Sequence, residues 1–226
     1  MFDSGDYKSA LIEFRKLTKH FPESREAADA QFYIGSCLEE MGKLYDAYLA
    51  YQKVVDKFPF SDKMEAVLER EFEIAGSLSE TKKEILEIIL PPQYYAIEIY
   101  RRIIENSPYH KLASLSQYKI GLVLKAMNRF DEAKTEFEKV ILTYPESEWF
   151  EPAKYQVAQC ASLGSLKSDY DQALSKEAKD KFEEFLDKHP EAELSKEAKG
   201  QIQVLTDKDA EKDYNIAQYY EKQKAY

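Results

Sequence analysis

Glycine is scarce in this chain. Seven glycines stand among 226 residues, which suits helices, where each glycine costs about 1 kcal/mol against alanine. Two cysteines and three histidines leave little material for metal or thiol chemistry. No stretch approaches the roughly 18 uncharged apolar residues that a membrane-spanning helix needs. The most apolar segment, Ile88–Ile97, is short and contains Pro91 and Pro92. No basic block is present either. The net charge is −10, from 32 basic and 42 acidic residues, and the two signs are interspersed. That excludes nucleic acid as an expected partner, since phosphate binding needs clustered lysine and arginine. It also excludes a polybasic lipid-binding patch.

A spaced pattern fills the chain instead. Five times an alanine is followed four residues later by Phe or Tyr and eight residues after that by proline. The copies are Ala10/Phe14/Pro22, Ala47/Tyr51/Pro59, Ala96/Tyr100/Pro108, Ala133/Phe137/Pro145 and Ala178/Phe182/Pro190. Three residues after each ring stands Leu17, Val54, Ile103, Val140 or Phe185. Self-similarity at this period predicts stacked supersecondary units. Gln31–Pro59 shows the unit most cleanly. Phe32, Ile34, Gly35 and Leu38 have the spacing of one helix face, and Gly42 breaks that helix into a tight turn. Leu44, Ala47, Tyr51, Val54 and Phe58 form the face of a second helix, which Pro59 ends. Gly35 removes a side chain where the partner must come close. Ser24, Ser61 and Ser147, each two residues after a proline, are expected to cap the following helix. A lone pair of such helices cannot bury both faces, whereas stacked pairs can.

Gly35, Ala75, Gly121, Ala158 and Ala217 occupy one equivalent small slot, and three residues before them stand Phe32, Phe72, Tyr118, Tyr155 and Tyr214. Cys37 and Cys160 also occupy matching positions and are expected to be small buried residues, too far apart for a disulfide. The prolines are separated by 37, 49, 37 and 45 residues. Extra residues are therefore expected within Ser79–Pro92, where Ile85–Leu90 could add an apolar turn. A second insertion is expected within Ser162–Ala173, with Gly164-Ser165 and Ser168-Asp169 as loop signals. From Pro190 to Ala217 is 27 residues, against 13 from Pro22 to Gly35. This predicts one long last helix from Ser195 to about Lys224. The expected units are 1–22, 24–59, 62–108, 110–145, 148–190 and 194–226. Gly5, Tyr7, Ala10 and Phe14 form a second helix without a first, so both ends read as cuts within a longer array. Met1-Phe2-Asp3 is not the start of a signal peptide.

These residues resemble the tetratricopeptide repeat. The fold implied is all-α: a right-handed superhelical solenoid of helix-turn-helix repeats, about five of them plus a long C-terminal helix. More narrowly the chain is similar to the BamD-type lipoproteins of outer-membrane β-barrel assembly. The resemblance lies in Gly5–Ser24, Ala96–Gly121, Asp169–Ile202 and Leu205–Tyr226. It implies a non-enzymatic, protein-binding scaffold on the periplasmic face of the outer membrane, attached through an N-terminal lipid that this chain lacks. The implied partners are the β-barrel insertase, sister lipoproteins and unfolded barrel substrates. Two alternatives stay open: another envelope scaffold, coordinating cell division or wall synthesis, and a cytosolic adaptor.

No cofactor, metal or catalytic residue is expected. His20, His110 and His189 lack a Cys or His neighbour at metal-ligand spacing, and there is no phosphate loop. The candidate protein-binding surface is the concave face implied by the resemblance: Phe32, Ser36, Phe72, Tyr118, Leu122, Tyr155 and Tyr214. The rings either pack in the core or take apolar side chains of a bound peptide. With polar tips, Tyr118 and Tyr155 are expected to reach solvent more readily than Phe72. The face offers Glu39 and Glu40 in one unit and Lys125 in another, so the Lys–Asn–Arg carboxylate clamp of chaperone-tail adaptors is missing. Arg15, Lys16, Lys19 and Arg25 are either solvated helix surface or a contact for the terminal carboxylate of a substrate.

Overall fold

The computed structural model describes residues 5–81, 90–167, 172–188, 190 and 193–224. Among them are ten α-helices and no strand: α1 Tyr7–His20, α2 Arg25–Glu40, α3 Leu44–Lys57, α4 Met64–Glu80, α5 Pro92–Asn106, α6 Lys111–Ala126, α7 Phe130–Thr143, α8 Phe150–Lys167, α9 Gln172–Lys188 and α10 Glu193–Lys224. The chain divides into two compact units, Met1–Ile120 and Gly121–Tyr226.

In the first unit each helix packs on the next from α1 to α5, and α3 also touches α5. That skip contact brings second helices of successive repeats together. Tyr45 of α3 lies 4.4 Å, ring to ring, from Tyr95 of α5. In the second unit α7 packs on α8, α8 on α9 and α9 on α10, with a skip contact from α8 to α10. Within each unit the residues form a helical-hairpin repeat.

The signature residues make the core. Ala47, Ala96, Ala133 and Ala178 are fully buried, as are Tyr51, Tyr100, Phe137 and Phe182. Each ring lies four residues after its alanine, one turn along the same face. Cys37 and Cys160 are buried free thiols. Burial pushes the Cys160 thiol up to about 11, which keeps it protonated and unreactive at neutral pH.

Helix ends follow from the prolines. The residue before a proline is driven out of the helical region. Phe21, Phe58, Ser107 and Tyr144, each directly before a proline, have φ of −132°, −131°, −147° and −128° and close their helices. The next turn is held by main chain: the N–H of Ser24, Ser61, His110 and Ser147 donates to the carbonyl of Phe21, Phe58, Ser107 and Tyr144, at 3.2, 2.9, 3.1 and 3.0 Å. This corrects the expectation of serine caps. Ser24 occupies the N-cap of α2 without a side-chain bond. The Ser61 hydroxyl accepts from the Lys63 N–H, ahead of α4, and the buried Ser147 hydroxyl has no partner among the described residues. The N–H that a capping hydroxyl would accept goes instead to the serine carbonyl: Ala27, Met64 and Phe150 N–H donate to Ser24, Ser61 and Ser147 O at 3.1, 3.3 and 3.1 Å.

Within hairpins the turn needs a left-handed residue. Gly42 has φ +72° and Asn128 φ +60° at the equivalent position. Around them the Lys43 N–H reaches Leu38 O and the Arg129 N–H reaches Leu124 O, both at 2.9 Å, the 6→1 bond of a Schellman cap. Gly42→Ala is expected to destabilise the chain by about 1 kcal/mol in urea unfolding, whereas Asn128→Gly is expected to be neutral or slightly stabilising. Equal effects at the two positions would contradict their equivalence.

Of the two insertions, the expected turn at Ile85–Leu90 lies outside the described residues apart from Leu90, which is exposed. In the second, Ser168-Asp169 lies outside the described residues, and the loop expected at Gly164-Ser165 is corrected. Gly164 and Ser165 are helical, because α8 continues to Lys167. An isolated glycine lowers helix propensity by about 1 kcal/mol, too little to stop a helix whose preceding turn, Ala158, Cys160 and Ala161, is buried. The long last helix is present as α10, 32 residues from Glu193 to Lys224.

Candidate functional site

The recurrent aromatic position sits on first helices, and the structure splits its members. Tyr155 is 2% exposed and Tyr118 7% exposed, Phe72 is half-buried, and Tyr214 is 63% exposed. The expectation that Tyr118 and Tyr155 reach solvent more readily than Phe72 is therefore overturned. For Tyr155 the reason is a partner for the phenol: its hydroxyl bonds to Glu197 Oε2 of α10 at 3.0 Å. Burial of the ring then leaves no polar atom unsatisfied.

These rings pack on the second helix of their own hairpin. Phe32 lies 5.4 Å from the Tyr51 ring, Phe72 5.4 Å from Tyr100, and Tyr155 5.8 Å from Phe182. Phe32 keeps one partly open side, over which the Lys63 ammonium sits 5.9 Å from the ring centre. Tyr214 differs because α10 packs chiefly on α9, with a smaller contact to α8. Its hydroxyl accepts from Gln218 Nε2 of the same helix at 2.9 Å.

In the first unit the face of α2 is tied by a polar cluster that the sequence did not reveal. Ser36 is half-buried and its hydroxyl lies 3.2 Å from the Tyr51 hydroxyl. Burial raises the Tyr51 pKa, so the phenol stays protonated and donates to Glu39 Oε2 at 3.0 Å. Arg70 of α4 clamps the same carboxylate, through Nε at 3.1 Å and through Nη2, and its Nη1 meets Glu73 at 2.7 Å. Glu39 is thus neutralised by a bidentate arginine, the strong geometry for such a pair. Glu40 remains exposed. Thirty-one residues separate Glu39 from Arg70, beyond the reach of any helix-spacing argument.

In the second unit Leu122 and Lys125 stand one turn apart on α6, both half-buried. The Lys125 ammonium reaches the side-chain oxygens of Gln156 and Gln159 on α8. Of the basic residues near the N-terminus, Arg15 and Lys19 are exposed, and Lys16 forms an exposed pair with Glu13 at 2.7 Å. His110 is structural: its Nδ1 accepts the Leu112 N–H at 3.2 Å, which leaves Nε2 to donate to Glu65 at 2.8 Å. Among the described residues no three His, Cys, Asp or Glu side chains gather to hold a metal, and no helix is long and apolar enough to cross a membrane.

Residues 29–61 and 115–147 match the tetratricopeptide-repeat family. Residues 157–226, which contain most of α8 and all of α9 and α10, match the YfiO family of outer membrane lipoproteins. Comparison with curated proteins finds no match. Among solved structures the chain is similar to a tetratricopeptide repeat protein from Parabacteroides merdae, at 17% identity and TM-score 0.47, over 97% of this chain and 74% of the other. It is similar to the MamA protein at 21% identity and TM-score 0.44, over 83% and 85%. A putative kinesin light chain from Podosopora anserina with nearly identical repeats aligns at 12% identity and TM-score 0.48, over 85% and 91%.

Proposed function

We propose that this chain is a non-enzymatic protein-binding scaffold of the bacterial envelope, acting in outer-membrane β-barrel assembly on the periplasmic face of that membrane. One observation carries the reading: the match of residues 157–226 to an outer membrane lipoprotein family, in a chain whose other segments match a protein-binding repeat. The side-chain inventory supports a binding role. Its buried polar groups serve packing, as with Tyr51 and Tyr155, and among its exposed apolar groups Tyr214, Ile216, Tyr219 and Tyr220, 45–63% exposed, fall within two turns of α10. Exposed aromatic groups of this kind suit contact with other proteins. The partners proposed are the barrel insertase, its sister lipoproteins and unfolded barrel substrates, and membrane attachment is proposed through a lipid outside this chain.

Capture from detergent-solubilised envelope on the immobilised chain, with immunodetection of the insertase, tests this. Recovery of the insertase is expected, together with its loss when Tyr214, Tyr219 and Tyr220 are replaced by serine. Recovery of cytosolic proteins alone would end the reading.

A further inference from the structure

Three aromatic side chains of the first unit stand out from the turns that join one repeat to the next. Phe21 lies in the α1/α2 turn, Phe60 in the α3/α4 turn and Tyr109 in the α5/α6 turn, at 64%, 99% and 100% exposure. Phe60 and Tyr109 each directly follow a proline, where the α7/α8 turn has Glu146. Ion pairs set these turns side by side along one edge. Lys63, next to the α3/α4 turn, reaches Asp29 near the start of α2 at 3.4 Å. Glu65, at the start of α4, meets His110 at 2.8 Å and Lys111 at 3.2 Å, both beside the α5/α6 turn. Single apolar residues scattered over a surface are ordinary, but three on adjacent turns form a row.

The shape of the row decides what it meets. A ring that anchors a protein interface sits among neighbours that shield its flanks from water. Phe60 and Tyr109 have no such rim, because almost none of either residue is covered. Rings that protrude in this way are buried by a medium that closes around them. The interface of a lipid bilayer does so, and tyrosine with its polar tip suits that depth. Between the first two turns lies a cavity of about 270 Å³, lined by Thr18, Glu23, Lys57 and Phe58 among others. Lys57 and Glu23 are exposed and carry opposite charges, and neither pairs with the other or with another described residue. A phosphoethanolamine headgroup carries the complementary charges, a phosphate for the lysine and an ammonium donor for the carboxylate. A purely anionic headgroup would set like charge against Glu23.

We infer that this edge rests on a phospholipid surface, with Phe21, Phe60 and Tyr109 in the interface and a zwitterionic headgroup in the cavity between Lys57 and Glu23. No basic block is needed, because apolar burial rather than net charge drives the contact. The inference rests on the proposed placement at a membrane and adds to it a contact made by this chain itself.

Flotation of the whole chain with phosphatidylcholine vesicles containing phosphatidylethanolamine, phosphatidylglycerol or neither tests it. Co-flotation is expected, strongest with phosphatidylethanolamine. Phe60→Ser combined with Tyr109→Ser is expected to weaken binding to all three about tenfold or more, the effect of withdrawing two rings from an apolar phase. Both positions are exposed, so the helical circular dichroism of this variant should match the parent's. Glu23→Gln is expected to keep co-flotation and to lose the preference for phosphatidylethanolamine over phosphatidylglycerol. Leu142→Ser, at an 81% exposed site on α7, is expected to change nothing. Absence of co-flotation, equal binding to phosphatidylethanolamine and phosphatidylglycerol, an unchanged preference in Glu23→Gln, or equal losses in Leu142→Ser and the double variant would overturn the inference. So would a double variant that still floats but no longer captures the insertase, since the row would then be a protein contact. The vesicles contain no protein, so failure here is distinct from failure to capture the insertase.

Discussion

Replacing Phe137 with alanine is expected to destabilise the chain by about 3–5 kcal/mol, the usual cost of deleting a fully buried aromatic side chain. Phe137 has no exposed surface and its ring lies on Gly121. A Cβ at Gly121 would stand 2.6 Å from Phe137 Cε1 and 2.7 Å from Cζ, closer than packed carbon atoms approach. Gly121→Ala alone is therefore expected to cost about 1–3 kcal/mol by overpacking. The two changes should not add. In the Phe137→Ala background the new methyl group enters space the ring has left, so the double variant is expected to be more stable than the sum of the single losses by 1 kcal/mol or more. Denaturant unfolding of all four proteins measures the coupling, and additive losses would show that ring and glycine do not share that space.

The same device recurs in the first unit, where a Cβ at Gly35 would stand 2.6 Å from Tyr51 Cδ1 and 2.7 Å from Cζ. Small residue on the first helix and ring on the second form one mechanical unit, and that unit was legible because both partners lie within one repeat. Spacing alone placed Ala47 with Tyr51 and Ala133 with Phe137, since one turn of helix separates them. The helix count, the left-handed turn at Gly42 and the long α10 followed from equally local signals. What stayed hidden depends on groups brought together across repeats. The Glu39–Arg70 pair, the Tyr155–Glu197 bond that draws a tyrosine inward and the Lys125–glutamine cluster each join residues 31–42 positions apart. A polar side chain at a helical position looks the same in sequence whether it faces water or a distant partner. The Gly164-Ser165 step misled for a related reason: a local breaker signal gives way where buried residues hold the helix.

Glu71 shows how large such a hidden effect becomes, and Glu71→Gln is expected to remove a pH dependence from the stability of the chain. Glu71 on α4 is fully buried. One oxygen accepts from Gln52 Nε2 at 2.8 Å, and the other has no partner among the described residues. Burial, opposed by the Gln52 bond and reinforced by the Asp56 charge, pushes its pKa up to about 8 from 4.5. The sign follows from proton binding. Below pH 4.5 both folded and unfolded chains hold the proton, and the group contributes no pH dependence. Between 4.5 and 8 the unfolded chain releases it while the folded chain retains it, so stability falls as pH rises, by a total on the order of 3–5 kcal/mol. Glutamine is neutral at every pH and nearly the same shape. It is also the residue found four positions before the small slot in neighbouring repeats, as Gln31 and Gln117. Gln31 there donates to the Ala50 carbonyl at 2.9 Å, and the equivalent acceptor for an amide at position 71 is the Ile99 carbonyl. Urea unfolding at pH 5 and pH 8.5 separates the two proteins. Near pH 5 they should be close in stability. At pH 8.5 the variant should exceed the parent by several kcal/mol, and parallel pH profiles would mean that Glu71 ionises in the folded chain as readily as in the unfolded one.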